Sequence, residues 1–304
     1  MPIVFAAPAA SAGAGAFQAP SRPMTWTGFD GSYWQLTRPA AVNPRMAPGV
    51  KGLHMPRFDV YESSTPLVPG VDLTGYSLGK RSVYWPMLFR APNADAWARE
   101  HGAFFDSFHP VETGVWTVGA GDDARTLPLT GVFDGSFSFR HDPFVQHWAL
   151  IGIELSAPRP LWRGKPITRR FGADDPVDFI PAEPGDDYFL SPVATFSRAQ
   201  IPNPGNEPAY LTWTIHGPHP AGVQVGVGGA VIEVPFAVPN GSQLAIDTDP
   251  AGQFATLDGD DVTADLGFQM FGPVPPRGES PLTIATGGTG RIDASVTPLY
   301  WRAF

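Results

Sequence analysis

The chain has no cysteine. Disulfides, thiolate metal sites and a cysteine nucleophile are therefore excluded, and stability must come from burial and association alone. Lysine is nearly absent too: Lys51, Lys80 and Lys165 are the only ones in 304 residues. Charged residues make up 16% of the chain, the formal charge is −9, and no run of five Lys or Arg occurs. The electrostatic footprint of a nucleic-acid binder is missing, and an acidic surface repels a phosphate backbone. No apolar run is long enough for a membrane-spanning helix. The first twenty residues place small side chains at Ala7, Ala9 and Ala12, as a secretory cleavage region does. No Lys or Arg precedes that short apolar stretch, however, and Pro8 interrupts it. The expectation for residues 1–21 is instead an N-terminal arm that packs on a neighbour.

What is present points to β structure. Hydrophobic residues make up 43% and aromatics 12%, with 34 glycines and 35 prolines. Such a chain builds many short elements between punctuated turns. Arg81–Ala91 is β-branched and aromatic, with Pro86 expected at an edge or bulge. Gly114–Val118, Arg125–Phe133 and Ser136–Arg140 read as short strands, the last two joined by an Asp134–Gly135 turn. In Val145–Ala157 the residues Val145, His147, Ala149, Ile151, Ile153 and Leu155 share one face. One helix stands out at 94–108, with Asn93 as N-cap and a stripe of Trp97, His101, Phe104, Phe105 and Phe108. Residues 158–190 are rich in proline and acidic pairs and lose periodicity, which predicts a connector. Strand patterns resume at Phe189–Ile201, Ala209–Gly217, Val223–Val227, Ala230–Val234, Ser242–Asp247, Phe254–Leu257 and Arg291–Tyr300. The fold class expected is all-β: two β-sandwich-type domains, with the one helix in the first.

Residues that could carry chemistry are scattered. Paired carboxylates for glycosidase work would come from Glu154, Glu233, Asp247, Asp249, Asp258, Asp260 and Asp261. Most of them sit beside Gly or Pro, where an acidic side chain commonly serves its own turn. Asp247–Asp249 and Asp258–Asp261 could offer oxygen ligands to calcium, but the twelve-residue loop pattern is absent. The histidine pairs His141/His147 and His216/His219 lack the further ligands that structural zinc needs. No G-x-S-x-G elbow or phosphate loop occurs, and Gly226, Gly228 and Gly229 have the wrong spacing for a dinucleotide turn. The expectation is a non-enzyme with no catalytic, cofactor-binding or metal residue. The abundant aromatics leave open a sugar-stacking surface.

Several segments, in order, resemble the distal tail protein family of long-tailed phages. Trp26–Asp30 followed by Ser32–Leu36 resembles the family's opening strands. Val83–Pro86, the helix at 94–108 and a hairpin centred on Leu127 resemble its N-terminal domain. Gln146–Ala157 followed by Pro160–Leu161–Trp162 resembles the closing "P-x-W" turn, with Arg159 where an Asp often stands. Further on, Ile201–Ala209 (IPNPGNEPA) is similar to "N-x-G-[DN]-x-P-A". Trp213–Pro218 is similar to "W-x-I-x-G-P", Leu244–Thr248 to "L-x-I-D-T" before the Asp258–Gly259 turn, and Ser295–Trp301 to a closing strand. The arm at 1–21 has no counterpart, and the family's charged hairpins are thin here.

The resemblance implies a structural virion protein at the tail tip. Residues 22–165 would be a ring-forming N-terminal β-domain, 166–188 a connector, and 189–304 an outward-pointing, galectin-like β-sandwich. The partners implied are the chain itself (a ring, typically of six), the tail tube protein, the tail-tip hub and, further out, receptor-binding proteins. No membrane span and no sequence-specific nucleic-acid binding are expected. The helix 94–108 and strand 81–91 are expected near subunit contacts. The alternatives are a carbohydrate-binding host-recognition module and a secreted glycoside hydrolase.

Overall fold

The computed structural model describes residues 22–37, 43–67, 69–133, 135, 138–172, 194–195 and 199–304. The fold is all-β, and Ala94–Asp106 is the one long helix among the described residues. Its hydrophobic residues form two clusters, one drawn mainly from positions before 163 and the other from positions after 198.

The first sheet runs, in spatial order, Tyr33–Gln35, Met24–Thr27, Gly114–Val118, Arg125–Gly131, Trp148–Ala157, Arg81–Arg90 and Arg45–Met46. Arg125–Gly131 serves two layers. Its first residues pair with Gly114–Val118, while Thr130 and Gly131 pair with Ser156 and Leu155. The layers face each other across indoles that meet edge to face. Trp85 of one meets Trp26 and Trp116 of the other at centroid distances of 5.4 and 5.2 Å, and Trp162 lies 5.0 Å beyond Trp116. Asn93 caps the helix by accepting from Ala96 N–H, and Trp97 and Phe104 bury into the same core.

The second unit packs two antiparallel sheets face to face. One runs Ile167–Phe171, Ile292–Val296, Leu211–His216, Gln243–Asp247, Phe254–Leu257 and Asp260–Asp261. The other runs Ala194–Thr195, Gly278–Thr286, Val223–Val227 and Ala230–Val234, with Gln200–Asn203 also against Gly278–Thr286. Alternate residues such as Leu211, Trp213 and Ile215, or Leu244 and Ile246, point into the space between. This is the period-2 pattern of half-buried strands.

Several expectations need correction. Trp148, not Val145, opens the long strand, because Asp142 caps a helical turn Pro143–Gln146 with proline at its first position. His147 then takes a left-handed conformation (φ 57°) as the C-cap of that turn and lies outside the strand. Residues 138–140 form no strand, and Asp134, Ser136 and Phe137 lie outside the described residues. Pro86 marks no bulge: it sits in unbroken register opposite Gly152. Its carbonyl accepts from Ala47 N–H, so its missing N–H faces the side covered only by short segments. Ile167–Phe171, expected within a connector, is instead the edge strand of a sheet. Residues 173–193, which hold most of the expected connector, lie outside the described residues, as does the arm at 1–21.

The chain end crosses between the units. Leu299–Tyr300 pairs with Trp162–Arg163, and Ala303 is buried in the first core, its N–H bonded to Leu53 carbonyl. A two-stranded hairpin, Phe58–Ser63 with Asp72–Leu78, stands apart from both sheets.

Candidate functional site

The sequence-proposed acids do not converge. Glu154 lies on the outer face of the first unit and Glu233 on an edge strand of the second. Asp247 accepts from Asp249 N–H at 2.9 Å, and Asp249 from Ala251 N–H at 3.0 Å. Asp258 takes a left-handed backbone (φ 51°) and accepts from Gln243 N–H at 2.8 Å. Asp261 accepts from the Thr263 hydroxyl at 2.6 Å, and Asp260 is exposed beside it. The Gln243 N–H holds the Asp258 carboxyl below its ordinary pKa, and the Thr263 hydroxyl does the same for Asp261. A glycosidase acid needs the opposite shift. Asp247, Asp249, Asp258 and Asp261 serve their own turns. Among the described residues, no group of three or more His, Asp or Glu gathers as a metal site.

The histidines are equally dispersed. His141 packs at a tilt against Trp148, ring centroids 4.4 Å apart, and His216 lies between Arg291 and Asp293. His219 is buried, 3% exposed, with Nδ1 2.6 Å from the Thr286 hydroxyl. Gly288 and Gly290 wrap the ring so closely that a Cβ on either would come within 2.4 and 2.7 Å of its nitrogens. Burial pushes the His219 pKa down, and that of His101 likewise. The unfolded chain therefore binds protons that the folded chain resists. This contribution to stability is whole above about pH 6.5 and is lost as pH falls through that value toward the lower folded one. The urea midpoint should drop between about pH 7.5 and about pH 5.5, and the drop should shrink in His219→Gln. Equal drops in both proteins would show that His219 is not involved.

The family-like segment IPNPGNEPA builds the junction between the units. Asn203 is fully buried, its amide donating to the Glu207 and Val274 carbonyls at 3.1 and 2.9 Å. Its side-chain oxygen accepts from Gly205 N–H at 3.0 Å, and a Cβ at Gly205 would lie 2.7 Å from the Leu299 carbonyl. Only glycine lets the returning chain pass this close. Asn206 holds that chain by accepting from Trp301 N–H at 3.2 Å. Glu207, 9% exposed, accepts on one oxygen from both the Tyr76 hydroxyl at 2.8 Å and the Trp301 indole at 2.7 Å. One carboxylate thus ties together the detached hairpin, the chain end and the second unit. Replacing Glu207 with alanine leaves two donors unmatched and should lower stability by about 1–3 kcal/mol, read by urea unfolding. An unchanged midpoint would show that the latch carries no energy.

Arg81 closes the junction from the other side. It is 3% exposed, has no carboxylate partner among the described residues, and donates to the carbonyls of Gly52, His54, Pro160 and Trp301. Burial lowers its pKa to about 10, so it stays charged near neutrality. Neither Arg81 nor Glu207 carries a sequence signal of its own, though Glu207 falls inside the junction segment.

Two outward surfaces remain. Strands Arg81–Arg90 and Trp148–Ala157 turn Tyr84, Leu88 and Arg90 outward, opposite Glu154, Leu150 and Trp148. Tyr84 lies across Gly152, where a Cβ would come within 2.4 Å of its hydroxyl, and Lys51 sits over the Tyr84 ring. The hairpin is the second surface, with Val60, Tyr61, Leu73 and Tyr76 exposed. The helix offers less, since Trp97 and Phe104 of its stripe are buried. Among the described residues of the second unit the exposed large apolar side chains are Phe254, Phe268 and Met270, and Trp213 is buried. No tryptophan or tyrosine platform for sugar stands out there among the described residues.

Solved phage proteins share this fold, a nine-strand sheet folded over an aromatic core and joined to a two-sheet sandwich. The SPP1 Dit protein, described as a paradigm of the hub adsorption apparatus in phages infecting Gram-positive hosts, superposes with a TM-score of 0.62 at 13% identity. The match covers 91% of this chain and 98% of that one. A chain of the phage P2 baseplate, in its activated conformation with calcium, matches with a TM-score of 0.53 at 10% identity over 91% of this chain and 98% of its own. No protein-family model and no curated protein matches the chain.

Proposed function

We propose that this chain is a structural protein of a phage virion, located at the tail tip, where it forms a ring that joins the tail tube to the tail-tip hub and the host-recognition apparatus. The observation that carries the reading is the extent of the fold match. It spans 91% of this chain and 98% of the SPP1 protein, so the shared fold takes in both units and not one sandwich alone. The division into a ring-forming N-terminal domain, a connector and an outward C-terminal sandwich belongs to the same reading. Its working partners are further copies of itself, the tube protein on one side and the hub on the other.

The surface chemistry agrees with this role. Four of the candidate acids, Asp247, Asp249, Asp258 and Asp261, are bonded within their own turns, and His219 is packed into the second unit. A formal charge of −9 suits a ring whose opening lets DNA pass without binding it. Among the described residues no helix is long and apolar enough to cross a membrane. The test is analytical ultracentrifugation of the chain alone and mixed with the tail-tube protein of the same virion. A discrete oligomer that co-sediments with the tube protein is the expected result. A chain that neither self-associates nor co-sediments would overturn the proposal.

A further inference from the structure

We infer that three arginines, Arg22, Arg125 and Arg302, form a docking site for an acidic segment of another protein. Such a site needs no ring and works on a single copy.

The topology gathers the three. Met24 and Arg125 both lie opposite Val118, on the two strands that flank Gly114–Val118. The Pro23 carbonyl accepts from Gly119 N–H, which places Arg22 at the same end of the sheet as Arg125. Arg302 arrives with the chain end, its carbonyl accepting from Arg125 Nη1 at 2.6 Å. Burial is the largest cause that lowers the Arg125 pKa, and the charges of Arg22 and Arg302 lower it further. Like charges held together disfavour one another until an anion is shared among them.

Aromatic rings orient two of the guanidinium groups. That of Arg125 lies 3.7 Å from the Tyr300 ring centroid and that of Arg22 5.8 Å from the Phe304 centroid. A guanidinium stacked by its face presents its N–H edge to a ligand. Arg22 and Arg302 are exposed, and Phe304, 50% exposed, adds an apolar floor beside them.

Other cations in this region already have acids. Lys165 pairs with Asp122 at 2.6 Å and Arg159 with Asp249 at 3.4 Å. No ion pair among the described residues takes up Arg22, Arg125 or Arg302. Asp123, which is exposed, is the carboxylate that acts on Arg125 in the opposite sense. In a chain of formal charge −9, three unanswered arginines are a local reversal of sign.

The same charges select the occupant. Carboxylates match the fork of a guanidinium with two parallel hydrogen bonds. Nucleic acid fits less well, because residues 199–276 of the adjoining unit include eight Asp or Glu and no Lys or Arg. A long phosphate backbone would be repelled by that unit, whereas a short acidic segment feels only charges within about 10 Å.

The test uses the full chain and a fluorescein-labelled decaglutamate peptide, read by fluorescence anisotropy at low salt. Saturable binding is expected. Arg22→Glu with Arg302→Glu should weaken it by at least about tenfold while the urea midpoint stays where it was. Arg169→Glu with Arg170→Glu, on the exposed edge strand Ile167–Phe171, makes the same change in net charge and should leave binding within about twofold. Absence of binding to the wild type, or equal losses in the two double variants, would overturn the site. Duplex DNA of about 20 base pairs, bound as tightly as the peptide, would overturn the choice of an acidic segment in favour of nucleic acid.

Discussion

Replacing Trp85 with alanine should unfold much of the first unit. The side chain is fully buried between layers, edge-on to Trp26 at 5.4 Å and to Trp116 at 5.2 Å, with Phe108 at 6.1 Å. Truncating a buried tryptophan costs about 3–5 kcal/mol, from lost transfer energy and the cavity left behind. Whole-domain stabilities are about 5–15 kcal/mol, so the loss is a large fraction of the total. The neighbouring rings are themselves held by further rings, so the site has little freedom to collapse. Trp85→Phe gives a control. It keeps a ring in the gap and removes an indole N–H that has no hydrogen-bond partner among the described residues. Urea unfolding followed by tryptophan fluorescence should therefore show a large drop for alanine and a small one for phenylalanine. Similar drops for the two would mean that layer contact does not depend on this ring.

The second large effect belongs to Arg81. Changing it to methionine keeps much of the stem volume but removes the guanidinium from four carbonyls that meet at the junction, of which only that of Gly52 keeps another side-chain donor, the Trp162 indole at 3.4 Å, among the described residues. Each buried carbonyl left without a partner costs about 1–3 kcal/mol, and the arginine's own desolvation is recovered in part. A net loss of roughly 2–5 kcal/mol is expected, with Arg81→Lys recovering only part of it because one ammonium cannot span the same four oxygens. The loss should have a spatial signature. Hydrogen exchange should rise at residues 299–303 and 52–54 in Arg81→Met, since Arg81 bonds the carbonyls of Trp301, Gly52 and His54. Faster exchange confined to strand 81–90 would show that the junction is held by other contacts.

Much of this fold was legible because its strands obey one period. Val223–Val227, Ala230–Val234 and Phe254–Leu257 stand where alternation and flanking turn pairs put them, and Asn93 caps the helix as its position suggests. The strands that were not legible broke that rule for physical reasons. Gly278–Thr286 carries Pro281 inside it and begins with glycine, which reads as loop. Ile167–Phe171 is an edge strand with Thr168, Arg169 and Arg170 exposed, so alternation disappears. The hairpin exposes both faces and therefore shows no hydrophobic period at all. The junction lay further from view. The Asn, Gly and Pro of residues 203–208 announced a tight turn, but not that the chain end threads it. Arg81 gathers carbonyls from as far away as Trp301, a separation across which no local pattern runs. The candidate acids were visible as residue types, and only the fold showed Asp247, Asp249, Asp258 and Asp261 bonded to their own loops.

Negative-stain electron microscopy of the purified protein at micromolar concentration tests the central claim most directly. A tail-tip ring protein should give closed rings of identical subunits around an open centre. Uniform single particles at every concentration, with no ring on adding the tube protein, would contradict it.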